Sequence, residues 1–254
     1  MLMSAKLKSW ARPEYEEGGG DAFIFYVIYG SFPGEIQISR AKYRTEGLPP
    51  GITLRKLTRA EHPVLPFTDS FYADILRDKN PNLFILVEAA PECLILKGTV
   101  FDPPDLDYLR DCIGVLTFLM DSGGIAVADI QQLDFYDSTQ WREEFFESEN
   151  LRIHRHVAIL YSDEKSGRGR WFHTRGLRKF GRPDLSLHNI PAQHEDAAID
   201  LCNRLIALQA AGGRISQGQK IRMDSLPAYL SCHHEGSLDD PDFNNVHVEM
   251  RFQT

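Results

Sequence analysis

Hydrophobic residues along the chain follow two periods, one typical of strands and one typical of helices. The stretch DAFIFYVIYG is rich in aromatic and β-branched side chains and is bounded by glycines, which predicts a strand. NLFILVEA is a continuous apolar run of strand length, and NNVHVEMRFQT alternates apolar with polar residues. The predicted strands are 21–30, 35–40 (joined to the first as a hairpin), 82–89, 93–98, 125–130, 153–162, 171–174, 184–190 and 244–254.

Two longer segments carry an apolar face at helical spacing. In 104–124, Leu109, Leu116 and Met120 recur on one side, and Gly123 is suited to end the helix. Segment 195–213 repeats this pattern and also ends in two glycines. Shorter helices are predicted near 69–78 and over 138–146, whereas 41–67 and 231–245 are predicted to be connections.

This order of elements predicts an α+β fold, with a largely antiparallel sheet and helices packed on one face. Superposing Gly212-Gly213 on Gly123-Gly124 also aligns Asp200 with Asp111, which favours two duplicated strand-strand-helix-strand units. We therefore expect a β-rich N-terminal extension packed on a main α+β domain that ends in a strand. The predicted bounds are 1–80 for the extension, 81–254 for the domain, and 81–150 and 151–223 for the duplicated units.

Composition and charge narrow the class of protein. The chain is 43% hydrophobic and 25% charged, as is usual for a soluble globular protein. Its net charge of −8 argues against a general binder of nucleic acid or anionic membranes. The N-terminus lacks the apolar stretch of a signal peptide, and no apolar run approaches the roughly 20 residues that cross a bilayer. The four cysteines form no CxxC pair, so we expect reduced thiols in a cytoplasmic protein.

The segment WFHTRGLRKFGRPD, residues 171–184, concentrates basic side chains in this acidic chain. Arginine offers a planar donor fork suited to phosphate or carboxylate, and aromatic faces add stacking. Structural ion pairing is the alternative, because acidic residues flank the same stretch, and disorder over 163–170 is a third possibility. The candidate ligand-binding residues are His173, Arg175, Arg178, Lys179 and Arg182, with Arg168, Arg170, Trp171 and Phe180 beside them.

From Thr174 to Met223 the order of features resembles an uncharacterised bacterial family, a domain of unknown function. The shared pattern is Thr-x-Gly-Leu, then Phe-Gly and an acidic residue, followed by a helix and a second glycine step. The matching residues are Thr174, Gly176, Leu177, Phe180, Gly181, Asp184, Gly212 and Gly218. The resemblance covers about a fifth of the chain. It implies a compact cytosolic α+β domain of bacterial type and brings no catalytic residue.

Two further groups of residues invite a chemical interpretation. Near the C-terminus, His247 and Glu249 share one face of a predicted strand, but the spacing matches no standard zinc pattern, so we predict no metal site. The other members of that group are Cys232, His233, His234 and Glu235.

The stretch DSGG at 121–124 is similar to the nucleophile motif of trypsin-like proteases. It lies at the tail of a helical pattern, which favours a helix end over a catalytic Ser122.

Three classes of function remain open. A non-catalytic interaction or regulatory protein is favoured, because the sequence has no GxSxG, GxxxxGK[ST] or GxGxxG motif and indicates no cofactor. A binder of, or enzyme acting on, a small phosphate- or carboxylate-bearing ligand is the second class, with Arg175, Arg178, Lys179 and Arg182 as the anion clamp and His173 as the acid–base group. Local nucleic-acid binding is the third, and the overall charge speaks against it.

Overall fold

A computed structural model of the chain describes residues 7–32, 34, 37–165, 167 and 169–253. The chain forms two compact units, and each draws on more than one stretch of sequence. Unit 1 comprises Met1–Ala11, Phe23–Val100 and Asp105–Arg152, and unit 2 comprises Arg12–Ala22, Phe101–Pro104 and Ile153–Thr254. The predicted division at residue 80 lies inside unit 1.

Unit 1 is built around a five-stranded sheet in the order β2-β3-β1-β4-β5. The pairs β2–β3, β1–β4 and β4–β5 are antiparallel. The strands are β1 (Ala22–Gly30), β2 (Ile52–Thr58), β3 (Glu92–Val100), β4 (Gly124–Asp129) and β5 (Asp134–Asp137). The helices are α1 (Arg40–Tyr43), α2 (Phe71–Lys79), α3 (Pro81–Ala89), α4 (Asp107–Asp121) and α5 (Ser138–Trp141), followed by a π-helix at Arg142–Phe146.

Strand β1 is the central strand of this sheet and is buried on both faces. Val27 and Tyr29 belong to an apolar cluster that includes Leu76 of α2 and Val87 of α3. Tyr26 points to the opposite face, because successive residues of a strand alternate. There it contacts Trp141 at the end of α5, with ring centroids 5.9 Å apart. Helices therefore lie on both faces of this sheet, whereas the sequence pattern predicts one face.

Unit 2 contains a six-stranded sheet in the order β6-β7-β8-β11-β10-β9. The strands are β6 (Ala158–Asp163), β7 (Arg170–Arg175), β8 (Asp184–Ile190), β9 (Lys220–Ile221), β10 (Leu230–Glu235) and β11 (His247–Phe252). β8 and β11 are parallel, and the other neighbouring strands are antiparallel. Helix α6 (Glu195–Ala210) packs on β7 and β8. The predicted α+β class is confirmed. The internal duplication stays a prediction.

Residues 82–89 form a helix, so the predicted strand is wrong. Pro81 occupies the first turn of α3, and the Asn80 side chain accepts a hydrogen bond from the Leu83 amide at 3.0 Å. Both are helix-start signals, and here they override an apolar run of strand length. Leu83 and Val87 are buried, whereas Ile85 and Leu86 are exposed at 60% and 52%.

Four other predicted segments also differ from the structure. In the predicted strand 153–162, a 3₁₀ helix at Ile153–Arg155 precedes β6. The hairpin strand over 35–40 is wrong for its described residues, since 37–39 form no strand and α1 begins at Arg40; residues 33, 35 and 36 lie outside the described residues. β2 lies in the predicted connection 41–67, and β10 begins inside the predicted loop 231–245. The sequence pattern of β2 is a weak strand signal, because only Ile52 and Leu57 are buried along this strand.

The two predicted glycine helix ends, Gly123-Gly124 and Gly212-Gly213, follow their helices as expected. Gly123 and Gly212 adopt φ values of 118° and 103° after α4 and α6. Glycine reaches this region without the steric cost that a Cβ atom brings. At Gly212 a Cβ atom would also lie 2.5 Å from the Cα of Tyr15, so the backbones approach closely there.

All four cysteines are buried free thiols. Burial raises the pKa of the Cys93 thiol to about 11 and that of Cys202 to about 12. Within the described ranges, no helix combines the length and the apolar character needed to cross a membrane.

Candidate functional site

The predicted basic site lies on β7 and on the 3₁₀ helix Leu177–Phe180 that follows it. Gly176 and Gly181 bracket this helix with positive φ values. His173, Arg175, Lys179 and Arg182 are buried, and Arg178 is half-buried. Arg168 lies outside the described residues.

Arg182 binds backbone carbonyls beyond the end of α6. Its side chain is fully enclosed and donates to the carbonyl oxygens of Gly212 at 2.6 Å and Gly213 at 3.1 Å. Arg12 donates to the carbonyls of Gln209 at 2.9 Å and Ala210 at 3.2 Å. The last carbonyls of a helix lack partners within the helix and favour a nearby cation. Arg12 therefore caps α6, and Arg182 holds the two glycines that follow the helix.

The neighbouring arginines hold the loop between β10 and β11. Arg175 donates to the Asp242 carbonyl, and Arg178 donates to the Asn244 carbonyl at 2.7 Å. Arg170 forms an ion pair with Glu195 at 2.9 Å. These contacts favour the structural alternative for the basic stretch, and the anion clamp stays a prediction.

Two of the residues that carry the family resemblance, Thr174 and Leu177, bind a third, Asp184. One carboxylate oxygen of Asp184 accepts hydrogen bonds from the Thr174 hydroxyl at 2.8 Å and from the Leu177 amide at 3.3 Å. The other accepts from the Asn245 side chain at 2.8 Å. Asp184 is fully buried, and this burial raises its pKa to about 6. The motif therefore joins β7, the 3₁₀ helix and β8 through one buried carboxyl group.

His173 lies in an aromatic cluster on the face of the sheet opposite to buried Phe172. Its ring stacks on Trp171 with centroids 4.0 Å apart, and Phe243 packs against it edge-on at 5.5 Å. Trp171 also stacks on His188 at 5.2 Å. Among the described residues, the buried Nδ1 of His173 has no hydrogen-bond partner. Burial, with Arg175 second, lowers the pKa of His173 to about 4.

We expect His173→Phe to weaken the loss of stability in mild acid. An unfolded histidine takes up a proton near pH 6.5, whereas buried His173 stays neutral until about pH 4. Its contribution to stability is therefore full above pH 6.5 and falls as the pH drops toward 4, by about 2 kcal/mol at pH 5. Phenylalanine keeps the ring stack and cannot be protonated. Urea unfolding of both proteins at pH 7 and pH 5 measures this difference, and equal pH slopes would contradict it.

The C-terminal histidine and acid group is divided between the two faces of the sheet. His247 and Glu249 lie on one face as expected, and His233 pairs across the strands with Glu249. His234 donates to the Ile215 carbonyl at 2.7 Å, and Cys232 is buried in the core. In the described part of the chain, no three His, Cys, Asp or Glu side chains are placed to hold a metal ion.

Unit 1 contains a cavity of about 470 Å³ that the sequence did not reveal. This volume lies in the range of pockets that hold small molecules. Four aromatic side chains line it: Trp10, Tyr43, Phe145 and Phe146. Leu7, Ala41 and Ile113 add aliphatic surface.

Two local features shape the walls of this cavity. Gly114 in α4 lets the chain after α1 approach closely, because a Cβ atom there would lie 2.2 Å from the Tyr43 carbonyl oxygen. On the other side, the π-helix sets Phe145 on Trp141 in a stack with centroids 4.5 Å apart, and Phe146 lies beside it on the lining. Single π-helical turns are rare in proteins overall, and those that occur are often found at functional sites.

The charged lining of the cavity is mainly basic. It includes Lys8, Arg40, Arg44 and Arg110 against two carboxylates, Glu46 and Glu149. Arg40 pairs with Glu46 at 3.1 Å, and Arg110 pairs with Asp111 at 2.9 Å. These pairs neutralise two of the four cations.

Arg44 differs from these paired arginines. It follows α1 with a φ of 50°, and its guanidinium carbon lies 4.2 Å from the centre of the Phe146 ring. Its Nη1 donates to the Ser148 carbonyl at 3.3 Å. No described carboxylate lies within ion-pairing distance of it. Burial lowers the pKa of Arg44, which is the response of a partly desolvated cation.

Comparisons with known proteins do not identify the chain. No family profile, no curated protein and no solved structure matches it. The resemblance of residues 174–223 to an uncharacterised family therefore stays a prediction.

Proposed function

We propose that the protein is a non-catalytic binder of a small anionic molecule, and that the ligand occupies the cavity of unit 1. This keeps the predicted ligand class and moves the site from the basic stretch of unit 2 to Arg44 and its surroundings. The supporting observation is Arg44 itself, a partly buried arginine on a cavity wall that stacks on Phe146.

The arrangement around Arg44 suits recognition of an anion. A guanidinium group carries five N–H donors in a plane and pairs with carboxylate or phosphate through two of them. The Phe146 ring and the Ser148 carbonyl hold this plane, so little side-chain freedom is lost on binding. Apolar walls beside a few placed polar groups are the usual composition of a ligand site.

We expect aromatic and aliphatic carboxylates or phosphate esters to raise the melting temperature of the protein, and Arg44→Gln to abolish the rise. A ligand at 100 times its dissociation constant adds about 2.7 kcal/mol, which corresponds to several degrees. Glutamine removes the charge and leaves a side chain that tolerates positive φ no worse than arginine does. Matched amines serve as ligand controls.

Arg77→Gln is the matched control variant. Arg77 also lies over an aromatic ring, with its guanidinium carbon 4.5 Å from the centre of Phe84, but it does not line the cavity. It should leave ligand binding unchanged. Ala41→Trp, at an exposed position of α1 on the lining, should block binding without removing a charge.

A role in protein interaction is the other function that the sequence favours. If no compound class shifts the melting temperature and none binds by calorimetry, the ligand-binding proposal is wrong, and a protein partner becomes the next hypothesis. A cytoplasmic location likewise stays a prediction.

A further inference from the structure

We infer that the ligand of the unit 1 cavity is an aromatic monocarboxylate, with its carboxylate on Arg44 and its ring against the aromatic walls. This inference rests on the proposed ligand-binding function and narrows its chemical class. It depends on the rings of the lining, on the donors of Arg44, and on the balance of charge around the cavity.

The lining favours a flat, aromatic ligand body. Trp10, Tyr43, Phe145 and Phe146 come from three separate segments, and all contribute to the walls. Aromatic pairs in offset or edge-on arrangements contribute more than their buried area alone. Phe145 is fixed by its stack on Trp141, and Tyr43 by its hydroxyl, which donates to Asp121 at 2.9 Å. The aromatic walls of the cavity formed by Phe145 and Tyr43 are therefore preorganised for a ligand.

The donors of Arg44 favour a carboxylate. In the described structure, the Ser148 carbonyl engages Nη1, and the remaining donors of the guanidinium have no protein acceptor. Arg110 shows the contrast, because its Nε and Nη2 donate to Asp111 and its Nη1 donates to the Lys8 carbonyl. Arg44 is left with an edge that matches the two oxygens of a carboxylate.

The charge balance favours a single negative charge on the ligand. Once Arg40 and Arg110 are paired, the lining retains the charges of Arg44, Lys8 and Glu149. Lys8 donates to the Asn150 side chain, which is neutral, and Glu149 acts electrostatically on Arg44. Arg110 also pairs with Asp107 at 3.2 Å, so the positive charge in excess around the cavity is at most one. A monocarboxylate matches this excess, and a phosphate dianion does not.

Isothermal titration calorimetry with four compounds tests the inference. Indole-3-acetate presents an aromatic ring and a carboxylate. Indole-3-acetamide replaces the carboxylate by a neutral amide, and octanoate replaces the ring by an aliphatic chain. Phenyl phosphate keeps an aromatic ring and replaces the carboxylate monoanion by a phosphate dianion. We expect indole-3-acetate to bind at least tenfold more tightly than each of the others. Because Phe146 supports Arg44, Phe146→Leu should lower the affinity for both carboxylates, and that for indole-3-acetate by the larger factor. The melting temperature serves as a check on folding.

The outcomes separate this inference from the function on which it rests. If octanoate or phenyl phosphate binds as tightly as indole-3-acetate, and Arg44→Gln abolishes that binding, the aromatic monocarboxylate is wrong and the anion-binding function stands. Equal affinity for indole-3-acetate and indole-3-acetamide would overturn the role of Arg44 in the anion-binding function and in the choice of an aromatic monocarboxylate. If none of the four binds and the wider panel also gives no shift, both proposals fall.

Discussion

Arg182→Met should destabilise unit 2 by about 4 kcal/mol, the largest effect of any substitution considered for this chain. Methionine fills a similar volume but donates no hydrogen bond. The carbonyls of Gly212, Gly213 and Glu16 then lose a donor, and Asp102, 3.6 Å from the guanidinium, loses its cation. Each buried polar group left without a partner costs about 1–3 kcal/mol. Urea unfolding followed by circular dichroism measures the loss.

Arg204→Ala is the control for this experiment. Arg204 lies on the exposed face of α6 and pairs with Asp200 one turn earlier at 2.9 Å. Exposed helix pairs of this kind contribute about 0.3–0.5 kcal/mol. If Arg182→Met costs no more than Arg204→Ala, the contacts of Arg182 with backbone carbonyls do not stabilise unit 2, and its predicted role as a ligand clamp regains support.

Gly114→Ala should destabilise unit 1 by about 1–3 kcal/mol, although alanine is the better helix former by about 1 kcal/mol. The added Cβ atom would lie 2.2 Å from the Tyr43 carbonyl oxygen and 2.7 Å from the Cβ of Thr45. The chain after α1 must therefore move away from α4. Because Tyr43 and Arg44 line the cavity, ligand affinity should fall together with stability.

Gly34→Ala provides the comparison, since a Cβ atom there meets no described atom within 4 Å. It should change neither the melting temperature nor ligand affinity. A Gly114→Ala protein that is more stable than the parent would show that helix propensity dominates and that the α1–α4 contact yields easily.

The elements with strong local signals were predicted correctly from the sequence. α4 and α6 carry long apolar faces that end in glycine, and β1 is rich in aromatic and β-branched residues. The predictions were wrong where signals conflicted or were weak. In α3 an Asn-Pro start overrides an apolar run, and in β2 four consecutive residues are exposed. Local pattern alone does not weigh such signals against tertiary packing.

The cavity of unit 1 could not be predicted from the sequence, for a physical reason. Its lining comes from segments near residues 8, 43, 110 and 146, which lie far apart in the sequence. Arg44 is one arginine among many until folding places it on Phe146. The basic stretch 171–184 shows the reverse case, a strong sequence signal whose side chains are used in structural contacts. It was conspicuous in sequence, yet the donors of Arg182 are used on backbone carbonyls that no sequence pattern marks.

The parallel pairing of β8 with β11 bears on how the chain is made. β8 lies between β7 and β11, and α6, β9 and β10 separate it in sequence from β11. A ribosome delivers β6, β7 and β8 first, so β8 remains an open sheet edge until His247–Phe252 emerges. Open edges with alternating apolar residues recruit other strands. A nascent chain stalled after α6 is therefore the species most exposed to aggregation, and the one for which a chaperone would matter most.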